Sequence, residues 1–282
     1  MNGFLLVDKP KHMTSHDVVL YLKRKFRIKK IGHTGTLDPF ASGLLILCIG
    51  KATKLSDLFM NMDKSYEGTF VFNKHYDTYD VTGQLLMSKD QLIDEITLKK
   101  AVTDMIKPYN QLPPMYSAIK IDGKKLYEHA RAGVEIERET RPVEIYDFKL
   151  TSNLSKDTVD FSIDVSKGTY IRSVAVDLAS KLDTYGALKE LRRTKIGPYH
   201  VNQAKPLDDI TESDMISLEA YFINHPKITL NDYMIKLVKN GVYLDERQTT
   251  IDKDFIVYDE QGHMIAFYQR VKENTYKPSL IF

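Results

Sequence analysis

Gly32-His33-Thr34-Gly35-Thr36-Leu37-Asp38-Pro39 sets a single carboxylate among glycine, proline and hydroxyl residues, and leads into Gly43-Leu44-Leu45-Ile46-Leu47-Cys48-Ile49-Gly50. Glycine opens backbone geometries closed to other residues. Proline fixes its own φ and keeps the preceding residue out of the helical region. Asp38 therefore stands on a constrained loop, where functional side chains gather when the scaffold below is rigid. Taken alone, an Asp-Pro pair more often makes a turn whose carboxylate caps local amides. The apolar run that follows, bounded by glycines, predicts a buried strand.

Working outward, residues 5–7 read as a strand and residues 15–26 as a helix. The helix turns Val18, Val19 and Leu22 to one face, with Thr14 or Ser15 as N-cap. After Lys51-Ala52-Thr53-Lys54-Leu55 a helical pattern runs through Leu58 and Phe59, residues 64–72 alternate as a strand, and 77–83 form a polar turn. Residues 97–106 predict a helix with Leu98, Val102 and Met105 or Ile106 inward. Residues 143–150 and 158–165 alternate and suit a hairpin. Residues 171–182 predict a helix burying Val174, Leu178 and Leu182. Helices and strands do not follow strict βαβ order, so an α+β fold with a mixed, mainly antiparallel sheet is expected.

Several collinear blocks resemble the TruB family of tRNA pseudouridine-55 synthases. Gly3 to Pro10 with Thr14-Ser15-His16-Asp17 resembles the family's opening motif, and 32–43 its aspartate motif. Gln111-Leu112-Pro113-Pro114-Met115-Tyr116-Ser117-Ala118-Ile119-Lys120 resembles its RNA-contacting segment, continuing through Gly123, Tyr127, Ala130, Arg131 and Gly133 to Arg141-Pro142-Val143. Lys167-Gly168-Thr169-Tyr170-Ile171-Arg172-Ser173 is similar to its arginine motif, and 188–197 to its final leucine-arginine stretch. Phe40 and Ser42 depart from the usual Leu and Thr without touching the chemistry.

The resemblance implies the pseudouridine-synthase fold, a central sheet with flanking helices over residues 1–227. Residues 113–139 would be a thumb-like RNA-gripping insertion, and 228–282 a small, mostly-β PUA-like module. It implies isomerisation of uridine 55 in the T loop of tRNA, by a base flipped into a pocket and without a cofactor or metal. Asp38 would be the acting carboxylate, attacking base or sugar or aiding removal of a sugar proton. Arg172 would pair with it, and Tyr66 would stack on the uracil and join in proton transfer. Tyr170 and Leu191 would line the pocket, although an isolated leucine at 191 reads as helix core. His33 would hold the extruded nucleotide, Lys54 would contact phosphate or shape the pocket, Asp80 would organise the neighbouring loop and Lys9 would support the Asp38 loop. Lys120 and Arg131, beside Tyr116 and Tyr127, would grip RNA. An Arg in a Gly-Thr-Tyr loop, such as Arg172, also suits phosphate binding.

Composition sets further bounds. The chain has 282 residues, 43% hydrophobic and 28% charged, as a globular protein has. No run reaches the ~18 apolar residues of a membrane helix, and no signal peptide is read. One cysteine, Cys48, excludes an internal disulfide and suits a reducing, cytoplasmic setting as a buried thiol. Net charge is only +2, yet residues 1–60 hold ten Lys and Arg against four Asp, with six of the ten between Lys23 and Lys30. Such a cluster attracts phosphates, and it equally suits a solvated helix end. Because guide-RNA-dependent relatives in the family largely lack the insertion, the resemblance implies a stand-alone enzyme acting on the T arm without guide RNA, and family likeness implies a monomer. Two other functions stay open: a tRNA-folding chaperone with incidental catalysis, and a uracil methyltransferase. The latter would need a glycine-rich donor-binding turn and a loop cysteine, neither of which is visible.

Overall fold

Alternating apolar residues in 64–72 place Tyr66, Phe70 and Phe72 on one face of a strand at the centre of the sheet. The computed structural model describes residues 1–121 and 123–282. In chain order these form β1 (Gly3–Lys9), α1 (Ser15–Lys25), β2 (Ile31–His33), β3 (Ser42–Ile49), α2 (Ser56–Met60), β4 (Lys64–Phe72), β5 (Lys74–Tyr76), β6 (Leu85–Ser88) and α3 (Glu95–Thr103). There follow β7 (Pro108–Gln111), β8 (Lys120–Ile121), β9 (Lys124–Lys125), α4 (Leu126–Arg131), β10 (Arg141–Leu150), β11 (Thr158–Val165), α5 (Ile171–Ser180) and β12 (Gly186–Ile196).

The main sheet runs β1-β3-β12-β4-β11-β10-β7, with the short strand Lys205–Pro206 beyond β1. Its pairings are antiparallel except β3 with β12 and β1 with Lys205–Pro206, so it is mixed and mainly antiparallel as expected. β10 and β11 form the expected hairpin neighbours. α1 starts at a Thr14 capping box closed by Asp17, and buries Val18, Val19 and Leu22 against Leu45 and Leu47 of β3. Full burial of such side chains contributes roughly 1.5–3 kcal/mol each.

Two expectations shift. The third helix spans Glu95–Thr103 rather than 97–106, because the Asp94 carboxylate accepts the Thr97 N–H and starts it earlier. Met105 is still buried just beyond its end, while Ile106 is exposed. Residues 186–196 are strand, so Leu191 packs from a sheet face and the helix-core reading is wrong.

A five-stranded sheet of Lys227–Thr229, Phe255–Tyr258, Met264–Lys272, Thr275–Ile281 and Leu244–Asp245 closes the chain, as the fold expectation required. Its first strand straddles residue 228. One face shares a core with the main sheet: Ile256, Phe267 and Leu280 cluster with Phe4, Ile46 and Cys48. Among the described residues no helix is long and apolar enough to cross a membrane.

Candidate active site

Asp38 is held by a loop whose backbone is bonded at nearly every step. Thr34 N–H donates to Ile46 O at 3.0 Å, and Ser15 Oγ accepts Leu37 N–H at 2.9 Å while donating to Leu37 O at 3.2 Å. His12 N–H donates to Pro39 O at 2.6 Å, and Ala41 N–H to Asp38 O at 3.1 Å. The loop is thus pinned to α1, β3 and the turn after β1, so the acid's position is set before any ligand arrives.

Arg193 completes this hold, and sequence reasoning did not single it out. It is 2% exposed on β12, and its guanidinium donates to the carbonyls of Leu44 (2.8 Å), Thr36 (3.4 Å) and Gly35 (3.4 Å). The signal available was two adjacent arginines, Arg192 and Arg193, in an alternating strand, where one must point inward. Register puts Gly43, Arg193 and Tyr66 in one cross-strand row, on the face that also carries Leu45 and Leu47. Tyr66 therefore shares a face with α1 and the Asp38 loop. It is buried in one cluster with Leu37, Phe40 and Leu191.

Arg172 stands near the start of α5 with a side chain 6% exposed. Its Nε lies 2.9 Å from Asp38 Oδ2, and its Nη2 donates to Asp38 Oδ1 at 3.1 Å. The remaining contacts tie it to two loops: Nη2 to Tyr116 O at 2.8 Å, Nη1 to Thr78 O at 3.0 Å, and Nη1 to Asp80 Oδ2 at 3.7 Å. Asp80 is itself buried and accepts the Thr82 N–H at 2.9 Å.

Asp38 is half-buried, with 30% of its side-chain surface open. Burial nevertheless dominates its titration and raises the carboxyl above the ordinary range. Arg172 pulls the other way, Asp80 adds to the rise and Lys9 opposes it. Arg172 thus aims the carboxylate and only partly offsets its desolvation.

Lys9 is fully buried; its Nζ donates to Pro10 O at 2.8 Å and Met13 O at 2.7 Å. Burial lowers it to about 8, with Asp38 the main opposing influence. His33, at the end of β2, is lowered first by burial and then by Arg193, and its Nδ1 is buried without a partner. Tyr170 is the N-cap residue of α5, and burial raises its hydroxyl.

The other expected residues lie outside this group. Lys54 is exposed beyond the far end of β3 from Asp38, so it does not shape the pocket. Lys120 is exposed on the β8–β9 hairpin, and Arg131 is exposed with its guanidinium 5.5 Å from the Tyr127 ring centre. Gln111, expected in an RNA-contacting segment, is instead turned inward and 1% exposed.

Residues 23–171 match the N-terminal domain of the TruB family pseudouridylate synthases. The chain is 51% identical to the tRNA pseudouridine synthase B of Onion yellows phytoplasma, covering all of both chains. It is 52% identical to that of Acholeplasma laidlawii over 95% of each. Likeness extends to a crystal structure of a Cbf5-Nop10-Gar1 complex, with TM-score 0.71 and 22% identity over 96% of this chain and 79% of that one.

Proposed function

The chain belongs to the TruB family of pseudouridylate synthases, and from that premise we propose that it converts uridine 55 in the T loop of tRNA to pseudouridine with Asp38 as the acting carboxylate. As a member with full-length likeness to the B-type enzymes, it is a tRNA pseudouridine synthase. The reaction breaks the bond from the sugar C1′ to N1 and makes one to C5 of the same base. The C5 proton is lost and N1 gains one, so no atoms are added and no redox partner is needed.

The observation that carries this reading is the two-point hold of Arg172 on Asp38. A carboxylate clamped in this way presents one orientation to a substrate, whether it attacks base or sugar or receives a sugar proton. Uracil stacked in an RNA loop is out of reach, so the base must be extruded. Tyr66, Tyr170 and Leu191 offer apolar and aromatic surface beside the acid, which suits a flipped base. His33, partly exposed at the end of β2, suits a contact to the extruded nucleotide. A lowered His33 favours the neutral ring at neutral pH, in keeping with a holding role.

Recognition of the RNA then rests on shape, stacking and phosphates. Residues 113–139 act as the gripping insertion, with Lys125 and Arg131 both set against the Tyr127 ring. We take 1–227 as the catalytic domain and 228–282 as a PUA-like RNA-binding module. The enzyme works as a monomer on the T arm, without guide RNA, in the cytoplasm where its substrate resides.

The test is incubation with a uridine-bearing T-arm transcript and mapping of any isomerised base. Pseudouridine at position 55 is expected; its absence there overturns the proposal.

A further inference from the structure

We propose that Gln111 is a positioning residue that sets the Arg172–Asp38 pair by clamping Tyr170, the N-cap residue of helix α5. The inference rests on Asp38 being the acting carboxylate. A partly buried hydrogen-bond network, touching neither the acid nor its arginine directly, carries it.

Gln111 ends β7, beside β10. Its Oε1 accepts the Tyr170 N–H at 2.8 Å, and its Nε2 donates to Tyr170 O at 3.2 Å. One side-chain amide thus pairs with both backbone groups of a single residue, as a neighbouring strand would. Tyr170 makes no side-chain cap of its own, so the Gln111 amide supplies the fixed contact at this helix start. Arg172 follows two residues later.

The same amide reaches further along the helix. Gln111 Nε2 also donates to Tyr109 Oη at 2.6 Å, and Tyr109 Oη donates to Asp177 Oδ2 at 3.1 Å. Ser173 Oγ donates to Leu112 O at 2.8 Å. Residues 109, 111 and 112 therefore hold α5 at Tyr170, Ser173 and Asp177, on successive turns. This fixes the helix both along and about its axis. A long arginine side chain that must meet two carboxylate oxygens is sensitive to that rotation, since a misplacement near 1 Å is enough to cost about a hundredfold in rate.

Gln111→Ala removes the clamp, whereas Tyr109→Phe removes the link to Asp177 and the hydroxyl that Gln111 Nε2 donates to, leaving the two Gln111–Tyr170 bonds in place. With a T-arm substrate, Gln111→Ala is expected to lower kcat at least thirtyfold while KM changes less than threefold. Tyr109→Phe should lower kcat three- to tenfold, and Gln111→Asn should restore little because its amide is one methylene short. A second readout needs no turnover. Titration of the Asp38 carboxyl by carbon-13 NMR should move upward in Gln111→Ala as Arg172 loosens, with Asp80 and Lys9 unchanged as the other charges facing it.

An unmoved Asp38 titration in both variants overturns the inference. So does a rise in KM with kcat retained, which would mean that the segment contacts RNA instead. If Gln111→Ala does not fold, Tyr109→Phe carries both readouts, and wild-type values in it overturn the inference. Failure of the underlying reading looks different: wild-type protein, or Asp38→Asn against it, would then show no dependence of turnover on the acid.

Discussion

Arg172 meets Asp38 side-on, with Nε 2.9 Å from one carboxylate oxygen and Nη2 3.1 Å from the other. The guanidinium also donates to the backbone carbonyls of Tyr116 and Thr78 and lies 3.7 Å from Asp80 Oδ2. One side chain therefore joins the acid to the backbone at Tyr116 and to the polar turn at 77–83. Asp38→Asn keeps the shape and removes the charge. It should reduce pseudouridine formation to background while tRNA affinity stays within a few-fold, as read by filter binding. Turnover at the wild-type rate would remove Asp38 from the reaction.

Arg172→Ala should lower kcat/KM by several orders of magnitude, with unchanged far-ultraviolet circular dichroism. It removes both the aim of the carboxylate and the tie between the two loops. A loss below tenfold, or about 1.4 kcal/mol, would contradict the pairing.

The raised Asp38 carboxyl fixes a pH dependence. Burial is the largest cause, Arg172 opposes it, Asp80 adds to it and Lys9 opposes it. The ionised acid is lost as pH falls through a value above the ordinary carboxylate range, so kcat/KM should show an acid limb there. Neighbouring charges should move that limb in opposite directions. Lys9→Met removes an opposing cation and should shift it upward. Asp80→Asn removes a like charge and should shift it downward. Shifts of the same sign in both variants would refute this electrostatic account.

Gly43 sits where β3 leaves the Asp38 loop, with φ +108°, and a Cβ there would lie 2.3 Å from Arg193 O. Both strain and overlap fall on backbone that cannot move without disturbing β12. Gly43→Ala should therefore destabilise the fold by roughly 2–4 kcal/mol in urea unfolding. A change under 1 kcal/mol would show that the crossing of β3 and β12 is slack.

Local pattern made much of this legible. Residues 64–72 and 158–165 coincide with β4 and β11, and the Thr14 cap with the start of α1. Asp38, Arg172, Tyr66 and Asp80 were reached through motif resemblance, since their partners are up to 134 residues apart and no periodicity records that. The helix-core reading of Leu191 fails because leucine has no strand signature of its own; strand pairing to β4 decides it. Arg193 and the inward hold of Gln111 on Tyr170 stayed hidden because the partners there are backbone groups, which leave no mark in side-chain pattern. The pocket-shaping alternative for Lys54 fails because closeness in sequence to the aspartate loop is undone by the whole length of β3.

Two buried lysines give a stability signature separate from catalysis. Lys9 donates to Pro10 and Met13 carbonyls, and Lys64 to those of Met60 and Met62. Burial lowers each from 10.5 to about 8. Between about pH 8 and 10.5 the unfolded chain therefore binds more protons than the folded one, and stability rises with pH. Below that window both states carry the charge and the cost of burying it is fully present. Raised tyrosines, including Tyr221 and Tyr268 at about 12, reverse the slope only above about 10, where unfolded tyrosines ionise first. Urea unfolding of wild type, Lys9→Met and Lys64→Met between pH 7.5 and 9.5 separates these contributions. Wild type should gain on each variant by on the order of 1–2 kcal/mol across that range. Parallel stability curves would mean that the lysines keep their ordinary titration, and that their carbonyl cages hold charge without cost.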